Sequence, residues 1–230
     1  MAKSQKSIFI KAGILTAIIF GLGIVLGYTL ESGRISEIEE EYKKVEIEWA
    51  DAKLQSLYYQ NVPAEYCKAS IDENLRFADK VYQQGIRLEK YDNANKITEK
   101  FKLEKQKYAL LKTEFLLNSI SLKEKCSADY VNLVYFYKDE PNIEEKSAQR
   151  VQSVVLEEIK SMFGPDMMLI PLSIDIDISI INIIKSSYNI TKTPTLIIED
   201  KKFEGVISKE KILQEICPLY KEEIDACKGY

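Results

Sequence analysis

The sequence predicts an α/β protein: a central sheet with flanking helices, preceded by a transmembrane helix and an α-helical hairpin or coiled-coil region. Three observations carry this reading. Residues 12–30 contain no charge. Residues 31–122 space apolar side chains three and four apart, as helices do. From Cys126 onward, β-branched and aromatic runs alternate with helix-like segments, the pattern of a sheet covered by helices.

The uncharged run comes first. As a helix, residues 12–30 reach roughly 28 Å, close to the hydrocarbon thickness of about 30 Å. Lys3, Lys6 and Lys11 precede the run, and Glu31 and a series of acids from Glu37 follow it. The basic flank places residues 1–11 in the cytoplasm and the rest outside, a single pass of the cytoplasmic membrane held by lipid contact through 12–30. A retained anchor fits better than a cleaved signal. The apolar run exceeds the about 7–15 residues of a signal core, and Gly27-Tyr28-Thr29-Leu30-Glu31 makes a poor cleavage site. Gly23 and Gly27 have the spacing that lets two such helices pack closely, although ordinary anchor composition produces the same pair.

Composition narrows the function. The chain has 230 residues with 46% hydrophobic content, enough for a real core beyond the anchor. Its net charge of −4 is spread over both signs, which leaves no basic face for nucleic acid. It has no histidine, which removes imidazole metal sites and the Ser-His and Cys-His nucleophile pairs. The four cysteines, Cys67, Cys126, Cys217 and Cys227, lie in the outward portion, where disulfides form. No two are spaced Cys-x-x-Cys and no carboxylate cluster accompanies them, so neither a metal nor any other cofactor is expected.

Within 31–122, Ile35, Ile38, Tyr42, Val45, Trp49, Ala52, Ser56 and Tyr59 form a heptad seam. The seam serves either a homo-oligomer or packing within the chain. Asn61-Val62-Pro63 ends this helix. A second helix is expected over 63–90, with Tyr66, Ala69, Ile71, Leu75, Ala78, Val81 and Tyr82 inward, and Tyr91-Asp92-Asn93 as a turn. A third follows over 93–121, with Ile97, Phe101, Tyr108, Leu111, Phe115 and Ile120 inward. Long helices joined by a short turn form an antiparallel hairpin.

Tyr130 to Tyr137 reads as a strand buried on both faces. The loop 138–142 leads to a helix over 143–162, which Gly164-Pro165 breaks. A strand over 167–176 and a short helix over 178–187 come next. Asp175 and Asp177 at the end of that strand are expected to face water. Strands over 195–199 and 202–207 precede a helix that Ser208 caps and that runs to Cys217. Residues 218–230 form a tail. The Asn189-Ile190-Thr191 sequon marks a candidate glycosylation site.

The order β-α-β-α-β-β-α, together with Lys192-Thr193-Pro194-Thr195-Leu196-Ile197-Ile198, resembles the thioredoxin fold. Gly205 in the following hairpin and the closing helix from Ser208 extend the resemblance over 126–217. With the anchor and helical region, the chain is similar to membrane-tethered thioredoxin-like proteins of prokaryotes. The resemblance implies a cis Pro194 and a peptide groove lined by Tyr137, Thr193, Pro194 and Thr195. It also implies a Cys-x-x-Cys at the start of the helix after the first strand. There this chain reads Lys138-Asp139-Glu140-Pro141-Asn142-Ile143-Glu144-Glu145, without a thiol. The acids Asp139, Glu140, Glu144 and Glu145 complement a helix start instead.

The expectation is therefore an anchored, outward-facing thioredoxin-like protein without a dithiol site, with no catalytic residue, that binds or scaffolds a protein or peptide partner. The alternatives are a thiol-disulfide oxidoreductase or isomerase using one of the four cysteines, and an envelope oligomerisation module working through the helical region. Four cysteines allow three connectivities. The helical hairpin brings Cys126 back toward Cys67, and Cys217 and Cys227 flank a short segment starting at Pro218. The competing arrangement joins Cys126 to Cys217.

Overall fold

The computed structural model describes residues 2–92, 99–221 and 224–229, and side chains outside 2–8, 31–42, 45, 87, 89–92 and 99–101. The chain divides into two compact units, Met1–Lys44 and Val45–Tyr230. Helix α1 is Ala2–Tyr59.

In the first unit, Phe9–Leu30 is long and apolar enough to cross a membrane, and its side chains are unburied. The apolar segment extends three residues beyond the uncharged run, because the single Lys11 interrupts Phe9 and Ile10 without ending it. The span's two threonines satisfy their hydroxyls within the helix. Thr16 Oγ1 donates to the Ala12 carbonyl and Thr29 Oγ1 to the Leu26 carbonyl, each at 3.0 Å. In hydrocarbon, which offers no other acceptor, such a return bond would remove the cost of a bare hydroxyl.

The second unit begins with the end of α1. Pro63 stops the helix as expected, and a short 3₁₀ turn, Ala64–Tyr66, leads into α2 (Cys67–Asp92) and α3 (Glu99–Cys126). The expected turn at Asn93 and the side chains of Ile35, Ile38, Tyr42, Val45, Ile97 and Phe101 lie outside the described residues. Later seam positions pack within the chain: Ala52 is fully buried in the core and Trp49 packs against it. Tyr59 is buried, and its hydroxyl donates to Gln55 Oε1 (3.1 Å) and to the Ser70 carbonyl (3.4 Å).

The inward face of α2 is the expected one in part: Val81 is buried, and Ile71, Leu75 and Ala78 pack against the core. Tyr66, Ala69 and Tyr82 are exposed, whereas Ser70, Asn74, Phe77, Val81 and Gln84 are buried. These five step by 4, 3, 4 and 3, a regular helical stripe. Three of them are polar, which hid the stripe from a hydrophobicity pattern. Asn74 Nδ2 donates to Ser119 Oγ at 3.1 Å, and Asn118 Nδ2 to the Ala52 carbonyl at 3.0 Å, so polar groups bind the three helices together.

Four strands follow: β1 (Val131–Tyr137), β2 (Met167–Ser173), β3 (Thr195–Ile198) and β4 (Lys201–Glu204). Their order in the sheet is β2-β1-β3-β4. β1 and β2 are parallel, and the other two pairings are antiparallel. β2 stops three residues before the expected end, because Asp175 turns to the loop after β1. β4 ends at Glu204, where Gly205 takes a φ of 82° that side chains resist.

The helices between the strands are α4 (Ile143–Phe163) and α5 (Ser179–Ser187), and α6 (Lys209–Ile216) follows β4. The strand side chains alternate between two cores. Val134, Phe136, Met168, Ile170 and Ile197 pack on α2, α3 and α5 through Phe77, Leu111, Phe115 and Ile181. Leu133, Tyr135, Met167, Leu196 and Ile198 pack on α4 and α6 through Leu156, Ile159, Ile212 and Ile216. α3 lies on the sheet, and the second unit takes in both the helices from Val45 onward and the four strands. The tail is also held: Tyr220 stacks on Phe163 at 5.7 Å, and its hydroxyl donates to the Asp166 carbonyl at 2.8 Å.

Candidate functional site

The carboxyl ends of β1 and β2 meet the start of β3, and the candidate site lies there. The register pairs Phe136 with Thr195, so Tyr137, the last residue of β1, comes beside Pro194. The Thr193–Pro194 bond is cis. The Gly205 amide donates to the Pro194 carbonyl at 2.8 Å, and Thr195 Oγ1 to the Lys192 carbonyl at 2.8 Å. Pro194 and Thr195 are buried, while Thr193 and Tyr137 are half-buried. Of the four residues of the expected groove, only these last two present surface. The buried Thr193 Oγ1 has no hydrogen-bond partner.

The loop that follows β1 is held by its own polar groups. Asn142 caps α4: its Oδ1 accepts from the Glu145 amide (2.9 Å), while Glu145 Oε2 accepts from the Asn142 amide (3.0 Å). This reciprocal cap satisfies two amides that a helix start otherwise leaves bare. Lys138 Nζ donates to Glu145 Oε1 at 2.5 Å, which lowers the Glu145 pKa. Buried Gln149 holds both backbone groups of Lys138, accepting from its amide (2.7 Å) and donating to its carbonyl (3.1 Å). Further along α4, Gln152 Oε1 accepts from the Ile207 amide at 2.8 Å.

Asp175 does more than face water. Its carboxylate accepts from the amides of Asp139 (2.8 Å) and Glu140 (2.9 Å) and from Ser173 Oγ (2.5 Å). Partial burial raises its pKa, but these bonds outweigh the burial and hold the carboxyl below its ordinary value. The loop after β1 is thereby fastened to the end of β2.

One residue of this region was not anticipated. Lys112, on α3, is 4% exposed. Its Nζ lies 4.7 Å from the Tyr108 ring centroid and 5.7 Å from that of Tyr137. The nearby Asp139 carboxylate is taken by Lys105 at 2.8 Å. Burial pushes the Lys112 ammonium down to about 8, with Asp139 acting in the opposite direction. Burial, aided by the charge of Asp139, pushes the Tyr137 hydroxyl well above its ordinary value, so it stays protonated. A lysine in a helical pattern reads as solvent-facing. The sequence held no signal of this one, because the rings that enclose it come from two different elements.

The cysteines lie away from this edge in the sequence of elements. Cys67 at the start of α2 is bonded to Cys126 at the end of α3, with Cα atoms 5.3 Å apart. Cys217 is bonded to Cys227, with Cα atoms 5.5 Å apart. α3 continues to Cys126 rather than ending near 121, which carries Cys126 to its partner. All four cysteines are paired. Asn189 of the sequon follows α5 with a φ of 49°, a left-handed conformation that asparagine tolerates. Among the described residues, no group of three or more acids or cysteines is placed to hold a metal ion.

No family model matches the chain, and no curated protein does. Among solved structures, the chain is similar to chloroplastic thioredoxin z, described as having a type-specific target recognition. The likeness covers 40% of this chain and 80% of that one, at 15% identity and a TM-score of 0.32.

Proposed function

We propose that this is a membrane-anchored, outward-facing thioredoxin-like protein that works by binding an extended peptide or protein partner and not by dithiol exchange. One observation carries the reading. The strand register sets Tyr137, at the carboxyl end of β1, beside Pro194 in a β2-β1-β3-β4 sheet, while the adjoining loop holds a capping box where a thiol pair is expected. Thr193 and Tyr137, the two groove residues that present surface, support the same reading. The apolar segment Phe9–Leu30 and the lysines before it support the anchor and its orientation.

The deciding experiment is an insulin reduction assay on the purified chain, paired with titration of extended peptides against it. We expect no turnover, and peptide binding that Thr193→Val weakens. Turnover lost on replacing a single cysteine overturns the reading in favour of the oxidoreductase. Protease applied to intact cells tests the orientation: it should remove the sheet domain, and full protection refutes the outward placement.

A further inference from the structure

We infer that Lys112 is a reactive amine that condenses with a small aldehyde to form an imine at the carboxyl edge of the β1–β2 pair. This site does not depend on the thioredoxin-like reading, since it uses neither the cis proline nor a cysteine.

Position is the first support. β1 and β2 are parallel and end at Tyr137 and Ser173. In open α/β sheets, ligands bind beyond the carboxyl ends of parallel strands. Lys112 reaches that edge from α3, next to the last ring of β1.

The second support is the state of the amine. Among the described residues Lys112 Nζ makes no hydrogen bond or ion pair. It meets ring faces instead, and Asp139, the acid whose charge acts on it, is engaged by Lys105. A buried ammonium without a carboxylate partner is costly, and the cost favours the neutral form with a free lone pair. The groups facing it act in known directions. Tyr108, on its own helix, donates its hydroxyl to the Val81 carbonyl at 2.8 Å. Tyr137 on β1 stays protonated, and Asp139 in the loop favours the charged amine without reversing the effect of burial. Asp175, at the end of β2, is committed to the loop amides.

The chemistry follows from that lone pair. It attacks the carbonyl carbon of the aldehyde, and the π electrons move to oxygen, which takes up a proton while the nitrogen releases one. The resulting carbinolamine loses its hydroxyl and the remaining nitrogen proton as one water, leaving a carbon–nitrogen double bond. Aromatic walls and 4% exposure suit a small, uncharged electrophile over a large or ionic one.

The test is a short pulse of formaldehyde with sodium cyanoborohydride on the full chain in detergent. The cyanoborohydride delivers hydride to the imine carbon, so each event leaves a methyl group that peptide mass spectrometry assigns. An amine titrating near 8 is about 300-fold richer in free base at pH 7 than an ordinary lysine. We expect Lys112 to be methylated at least tenfold faster at pH 7 than exposed Lys146 and Lys192, with the Lys112 rate levelling just above pH 8. An advantage below tenfold, or labelling of Lys112 only after denaturation, overturns the inference.

Discussion

Gly85 on α2 lies directly against the Tyr108 hydroxyl of α3, and a Cβ built at position 85 meets that oxygen inside van der Waals contact. The same hydroxyl donates to the Val81 carbonyl at 2.8 Å. Glycine within a helix costs about 1 kcal/mol relative to alanine, so the position exchanges helix propensity for a close approach of two helices.

Gly85→Ala should therefore destabilise the protein despite the better helix former. Overpacking against the ring costs about 1–3 kcal/mol, more than the propensity gain. Denaturant unfolding of Gly85→Ala, Tyr108→Phe and the double variant forms a cycle. The double variant should recover most of the loss. Additive losses would show that the crowding does not pass through the hydroxyl.

Lys112→Met should stabilise the folded chain at neutral pH. The lysine's pKa falls from 10.5 unfolded to about 8 folded. Below pH 8 it is charged in both states and the burial cost is constant, about 3 kcal/mol at most. Between 8 and 10.5 the folded state has released its proton while the unfolded state has not. The cost then fades as the pH rises, and above 10.5 it is gone. The gain from Lys112→Met should follow that course in unfolding experiments at pH 7, 9 and 11. A gain independent of pH refutes the assignment.

The two disulfides should contribute unequally. Cys67 and Cys126 are 59 positions apart, and Cys217 and Cys227 are 10 apart. Chain entropy gives about 4 kcal/mol for the long loop and about 3 kcal/mol for the short one. Replacing both cysteines of each pair with serine and measuring denaturant midpoints should reproduce that order. Non-reduced peptide mapping that links Cys126 to Cys217 would contradict the pairing itself.

Asp175→Asn should loosen the loop after β1. The carboxylate's folded pKa is held below its ordinary 3.8 by bonds that favour the charged form. Its stabilisation is present above the unfolded value and is lost as the pH falls through the folded one. The variant should lose about 1 kcal/mol at pH 7. The difference should vanish in strong acid, where both proteins carry a neutral side chain. Hydrogen exchange at the Asp139 and Glu140 amides reads the local effect.

Some features were settled by the sequence alone. The apolar character of 12–30, the stop at Pro63, the strand ending at Tyr137 and the strand start at Thr195 depend on properties each residue carries with it: transfer free energy, fixed φ, branching at Cβ. Such properties act locally, so any segment with that composition shows them. The tertiary structure alone decided what polar residues do. Ser70, Asn74 and Gln84 face inward on α2, Gln149 and Gln152 hold distant backbone amides, Asp175 fastens a loop, and Lys112 is buried between two rings. A polar side chain is costly in the interior unless a partner meets it there. Apart from Tyr108, one turn before Lys112 on the same helix, the partners here come from other elements, as Ser119 lies 45 positions from Asn74. No window of sequence holds both members of such a pair, and folding is what brings them together.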